Sequence, residues 1–246
     1  MSITTEVSRT DCQIGSGEDQ RTGVLVAPTG DGPWPAVVML HEAWGVNEVL
    51  LRQAEHLAAR GYLVLAPDLY GDGNRLRCMI SVFRALKAEH GQPFRLIEAA
   101  RRQMLADDRC SGKVGVIGFC MGGGFALLSA QRGFDASSVN YGMLPSELDS
   151  ALVGACPIVA SYGMQDGSLQ GAARRLGDAL QRAEIDHDVK EYPKAGHSFL
   201  NDTTEGPPKA FGPLIRVSGA GPEPESAEDA WRRIEQFFAR YLGAAS

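Results

Sequence analysis

The sequence predicts an α/β fold, a mostly parallel central sheet flanked by helices on both faces. Two observations carry that expectation. Short continuous apolar runs recur along the chain, among them AVVML at 36–40, YLVLAP at 62–67 and VGVIG at 114–118. Runs of that length without polar alternation suit strands covered on both faces. Stretches with helical spacing separate them, and strands alternating with helices fold as right-handed β-α-β units.

Residues 21–28 read as an early antiparallel strand near an edge, and the Gly- and Pro-rich stretch 30–35 as a break. Residues 36–40 form a buried strand. Val49, Leu50, Gln53 and Leu57 give 48–60 a helical face, and Gly61 stops it. A second buried strand follows at 62–67. Helices are expected over 76–89 and 94–107, parted by Gly91 and Pro93. A strand at 114–118, a helix at 125–131, strands at 138–141 and 157–162, a helix at 169–183 and a short strand at 188–192 complete the alternation. The stretch 206–224, rich in Pro and Gly, reads as irregular. Ser226, with Asp229 three residues on, has the form of an N-cap opening a last helix that ends near Leu242. The whole, 1–246, is expected to be one domain, with an N-terminal extension at 1–20 and an irregular loop at 201–225.

Composition narrows the function. A hydrophobic content of 44% supports a sizeable core, and a net charge of -6 disfavours nucleic acid or an anionic membrane as partner. No basic, apolar leader opens the chain and no apolar segment has the length of a bilayer span, so a cytoplasmic protein is expected, with a small molecule as its partner and a monomer as its state. The cysteines, Cys12, Cys78, Cys110, Cys120 and Cys156, are odd in number and lack C-x-x-C spacing. That pattern argues against a disulfide framework and a zinc site. Neither a metal constellation nor a dinucleotide fingerprint is found, so no cofactor is expected.

Cys120 stands apart. It lies where the apolar run ends, in Gly118-Phe119-Cys120-Met121-Gly122. This G-x-C-x-G has the form of the nucleophile elbow G-x-S-x-G of α/β-hydrolases, with sulfur in place of oxygen. The glycines answer a steric need, because a Cβ beside so tight a turn collides with neighbouring backbone. The helix that follows points free N–H groups at the sulfur, favouring a thiolate and an oxyanion alike. The plain alternative is a buried small hydrophobe.

In this fold the acid and then the histidine follow the nucleophile along the chain. His187 sits in a charged stretch, whereas His197 lies in a Pro- and Gly-containing loop just past the strand at 188–192, where a base belongs. Asp166 follows the apolar run PIVASYG and suits the role of orienting the imidazole. The alternative for it is a turn aspartate bonded to its own backbone. The loop after the strand at 36–40 supplies the second oxyanion donor in this fold, which makes Ala43 N–H and Met121 N–H the candidates. Glu42 places a carboxylate near the sulfur. Trp44, Tyr70, Asp72, Tyr141, Phe199 and Asn201 are expected to line the substrate pocket, with a place in the aromatic core as the alternative for Tyr70 and Tyr141.

The stretches HEAWGVN, GYLVLAPDLY, GKVGVIGFCMGG, PIVASYGMQD and GHSFLN extend from about residue 21 to the last helix. Together they resemble the dienelactone hydrolase family, carboxymethylenebutenolidase-like α/β-hydrolases. The resemblance implies a triad of Cys120, Asp166 and His197, hydrolysis of esters or lactones, and a Glu42 that pairs with the thiol at rest and is displaced by substrate. The family binds the substrate carboxylate with two arginines, in D-L-Y-x-R and H-S-F-x-R segments. Here Asp72 and Asn201 stand in their places, with Arg75 and Arg77 in the residues that follow. The expectation is therefore a cysteine hydrolase of small activated esters or lactones working through a thioester. The alternatives are a thioesterase or acyltransferase on the same scaffold, or a ligand-binding protein without turnover.

Overall fold

The computed structural model describes residues 6–71, 75–203 and 219–243. Among them eight strands form one sheet: β1 (Val7–Ile14), β2 (Arg21–Pro28), β3 (Trp34–Leu40), β4 (Leu63–Pro67), β5 (Cys110–Phe119), β6 (Ala136–Asn140), β7 (Ile158–Gly163) and β8 (His187–Tyr192). Their order is β1-β2-β4-β3-β5-β6-β7-β8. β1 and β2 run antiparallel, as do β2 and β4, and every pair from β4 to β8 is parallel. The parallel strands therefore all end at one lip of the sheet, where loops and helix N-termini gather.

The helices are α1 (Glu48–Ala58), α2 (Arg75–Ala88), α3 (Gln92–Leu105), α4 (Met121–Ser129), the short α5 (Leu148–Ala151), α6 (Ala172–Arg182) and α7 (Pro224–Leu242). β3 is buried along its whole length and sends alternate side chains to two cores. Ala36, Val38 and Leu40 join one buried cluster with Val82 of α2, Phe94 and Ile97 of α3, Phe125 of α4 and Leu176 of α6. Val37 and Met39 join another with Leu50 and Leu57 of α1 and with Ile234, Phe237 and Phe238 of α7. Both faces are covered, which explains why the strands read as unbroken apolar runs.

Several expectations are corrected. The stretch 1–20 contains β1, which pairs with β2 from Val7 opposite Pro28 to Ile14 opposite Arg21. It is an edge strand with mostly exposed residues, so it offers no apolar run to find. The helix after Cys120 begins at Met121 rather than 125, because its glycines pack against backbone instead of breaking it. The last helix is capped by Glu223, whose side chain accepts the Ser226 N–H at 2.8 Å, and not by Ser226. Pro224 occupies the first turn, where its missing N–H costs nothing. Asp72 and most of the stretch 206–224 lie outside the described residues. No helix among the described residues is long and apolar enough to cross a membrane.

Candidate active site

The lip collects the end of each parallel strand: His41 after β3, Asp68 after β4, Cys120 after β5, Tyr141 after β6, Asp166 beyond β7 and His197 beyond β8. Cys120 has φ 56° and ψ -114°, a conformation that a side chain rarely adopts. Its N–H donates to the Asn140 carbonyl at 3.0 Å and its own carbonyl accepts from Gly124 N–H at 3.2 Å. The surrounding glycines leave no room for alternatives. A Cβ on Gly118 would stand 1.9 Å from the Gly122 carbonyl oxygen, and one on Gly122 would stand 2.3 Å from the Leu40 oxygen.

Asp166 is fully buried. Its Oδ2 accepts the His197 Nδ1–H at 2.5 Å, and its Oδ1 accepts the Ser168 N–H at 3.0 Å and the Ser168 hydroxyl at 2.5 Å. Burial alone would raise this carboxyl, but His197 and then Ser168 outweigh burial and hold it below the ordinary carboxylate value. The turn reading and the partner reading of Asp166 thus describe the two oxygens of one group. Ser168 was not singled out from the sequence; the D-G-S order of residues 166–168 is the signal that could have found it.

His197 spends Nδ1 on Asp166, which leaves Nε2 for the sulfur. Burial disfavours its charged form. The Cys120 sulfur, bonded to the ring, and the Asp166 carboxylate together outweigh burial and raise the imidazole well above its ordinary value. The Tyr141 ring packs 5.1 Å from the His197 ring, and Phe199 packs 5.7 Å from Tyr141. Phe199, expected in the pocket, is fully buried and supports Tyr141 from behind.

The loop after β3 is tied down by buried His41. Its Nδ1–H donates to the Glu42 carbonyl at 2.6 Å and its Nε2 accepts the Leu69 N–H at 3.1 Å, which sets the tautomer. Tyr70 donates its hydroxyl to the Ala43 carbonyl at 2.8 Å. Tyr70 is therefore a brace behind the loop rather than an open pocket surface; burial, with Cys120 nearby, pushes its phenol up. These bonds use the Ala43 carbonyl and not its N–H. Met121, as first residue of α4, has its N–H in the opening turn, where no intrahelical acceptor exists. Trp44 is half-buried on the same loop, and its carbonyl accepts from Arg75 at the start of α2.

The Glu42 carboxylate accepts from the Asn201 amide nitrogen, at 3.5 and 3.4 Å to its two oxygens. A cavity of about 580 Å³ toward the sheet edge is lined by Asp11, Cys12, Thr22, Val46 and Asp68, and includes none of Cys120, Asp166 and His197. Among the described residues no group of three or more His, Cys, Asp or Glu side chains is placed to hold a metal ion.

The model of the dienelactone hydrolase family matches residues 22–242. A relative from Escherichia coli K12 is 30% identical over 242 residues, covering 88% of this chain and 80% of that protein. The Pseudomonas putida protein named carboxymethylenebutenolidase is 29% identical over 206 residues, covering 78% of this chain and 86% of its own. The solved structure titled m3DLH superimposes with a TM-score of 0.78 at 25% identity, over 96% of this chain and 99% of that one. The architecture is that of the α/β-hydrolase fold.

Proposed function

The chain belongs to the dienelactone hydrolase family and is a hydrolase, and from that premise we propose that it cleaves small activated esters or lactones through Cys120, His197 and Asp166. What supports this reading is one convergence: a cysteine in a strained elbow faces an imidazole that is itself held by a buried carboxylate at 2.5 Å.

The sulfur attacks the carbonyl carbon as its proton passes to His197 Nε2. Asp166 stabilises the imidazolium that results and keeps the ring in one orientation. The Met121 and Ala43 N–H groups hold the tetrahedral oxyanion, each such donor being worth roughly 10²–10³ in rate. His197 then hands its proton to the leaving oxygen, and a thioester remains on Cys120. Water, deprotonated by His197, attacks the thioester and frees the acid.

Sulfur biases the choice of substrate. From the tetrahedral intermediate a thiolate departs more readily than an alkoxide, so a poor leaving group loses the competition and the adduct reverts. Enolates and phenolates leave easily, which favours enol lactones and aryl esters over amides.

The test is hydrolysis of an aryl ester by wild type and Cys120→Ala, with mass spectrometry of the quenched wild type. A phenolate burst and an acyl adduct on Cys120 are expected; equal rates for the two proteins would remove the cysteine from the reaction.

A further inference from the structure

Asn140 ends β6 and is fully buried. Its main chain and its side chain hold β5 on both sides of Phe119. The Asn140 carbonyl accepts the Cys120 N–H at 3.0 Å. Its Nδ2 donates to the Gly118 carbonyl at 3.2 Å and to the Ser138 hydroxyl oxygen at 3.1 Å. A carbonyl can only accept, so the nitrogen of the amide, and not its oxygen, faces Gly118. Both hydrogens of the amide nitrogen are used in this way. The other end differs: Oδ1 is buried and has no hydrogen-bond partner among the described residues.

A buried acceptor left unpaired costs stability, and an apolar side chain in the same strand carries no such cost. The stability of β6 therefore does not call for an asparagine. Its surroundings do. Cys120 has φ 56°, and Tyr141, the residue after Asn140, has φ 40°. Backbone held in that region persists only where its neighbours fix it. Asn140 is bonded to the first of these residues and joined to the second. The two turns are also wedged together: a Cβ on Gly123 would stand 2.7 Å from the Asn140 carbonyl oxygen and 2.8 Å from the Gly142 Cα. One turn carries the sulfur. The other carries the Tyr141 ring, which packs 5.1 Å from the ring of His197.

Resting on the hydrolase reading above, we infer that Asn140 is a positioning residue: its amide, bonded to Gly118, locks the end of β5 to the end of β6 and so sets the Cys120 sulfur against the imidazole that Tyr141 supports. Without the amide the elbow keeps its main-chain bond to residue 140 but loses the side-chain donor two residues before the nucleophile. A misplacement near 1 Å between reacting groups costs about 10²-fold in rate, and a partial loosening costs about tenfold.

The experiment compares the full chain as wild type, Asn140→Val and Ser137→Ala. Ser137 is the control. It neighbours Asn140 on β6, points to the opposite face, and likewise donates from a buried side chain to a backbone carbonyl, that of Ala126 at 3.0 Å. The readouts are Tm, kcat and KM on an aryl ester, and the rate at which iodoacetamide alkylates Cys120. Ser137→Ala lowers Tm by roughly 2–4 °C and leaves kcat within about twofold. Asn140→Val, assayed where it is folded, lowers kcat about tenfold with KM little changed, and slows alkylation of Cys120 by a similar factor. Asn140→Ala, which adds no bulk, is read in the same way should the valine variant not fold. A folded Asn140 variant with kcat within twofold of wild type overturns the inference. So does alkylation at the wild-type rate, or an equal loss of kcat in Ser137→Ala. Cys120→Ala keeps the two ideas apart. A wild type no faster than Cys120→Ala defeats the hydrolase reading, and the alkylation rate then decides by itself whether Asn140 sets the sulfur. A cysteine-dependent enzyme indifferent to Asn140 defeats this inference alone.

Discussion

Gly122→Ala puts the architecture of the elbow under direct strain. The added Cβ would lie 2.3 Å from the Leu40 carbonyl oxygen and 2.8 Å from that of His41. Backbone cannot rotate away as a side-chain tip can. Restoring a separation of 3.0–3.4 Å requires α4 to move from the end of β3 by about 0.7–1.1 Å. That movement separates Met121 N–H from Ala43 N–H, which lie on the two sides of the displaced contact. Overpacking against backbone costs about 2–3 kcal/mol, and a misplacement near 1 Å costs about 10²-fold in rate. In a domain of this size the stability loss corresponds to a fall in Tm of roughly 5–10 °C. Gly177→Ala is the matched control. It lies within α6, and its new Cβ meets nothing nearer than Val189 at 4.0 Å. Helix propensity then makes it about 0.5–1 kcal/mol more stable with activity unchanged. The assays are thermal unfolding by circular dichroism and kcat/KM on an aryl ester. Gly122→Ala with wild-type Tm and kcat/KM would refute the reasoning, as would a Gly177→Ala that loses stability.

Asp166→Asn removes the charge that stabilises the His197 imidazolium, and kcat falls about 10²–10⁴-fold with KM little changed, measured by steady-state kinetics. Iodoacetamide at pH 8, followed by peptide mass mapping, labels Cys120 before Cys156: burial pushes the Cys156 thiol up to about 12, which leaves a thiolate fraction of only about 10⁻⁴ there. Asp229, bonded to Lys190 first and to Tyr192 and Arg232 besides, is lowered from 3.8 to about 2. A depressed folded value means its stabilisation is present above about pH 4 and lost as pH falls toward 2, so Asp229→Asn flattens acid unfolding in that window, and added salt shrinks the difference.

The strands, the glycine-bounded cysteine and the histidine loop were legible because each is a local feature. Burial on both faces writes an unbroken apolar run, and a strand–turn–helix junction writes its glycines within five residues. β1 was illegible for the opposite reason: an edge strand facing water needs no apolar signature, and only its ladder with β2 defines it. Phe199, expected in the pocket, is fully buried, its ring packed on that of Tyr141, a placement that only the tertiary structure decides.

The chain alone determined which chemical groups are present and that each sits at the end of a parallel strand, since that follows from neighbours in sequence. Which groups meet was decided by the tertiary structure. Asp166 and His197 are 31 residues apart and Glu42 and Asn201 are 159 apart. What brings them within bonding distance is the common direction of β3, β5, β7 and β8, which delivers every loop to one lip. Glu42 meets the Asn201 amide because the loop after β8 returns to the loop after β3, and Gln53 on α1 bonds the oxygen of that amide.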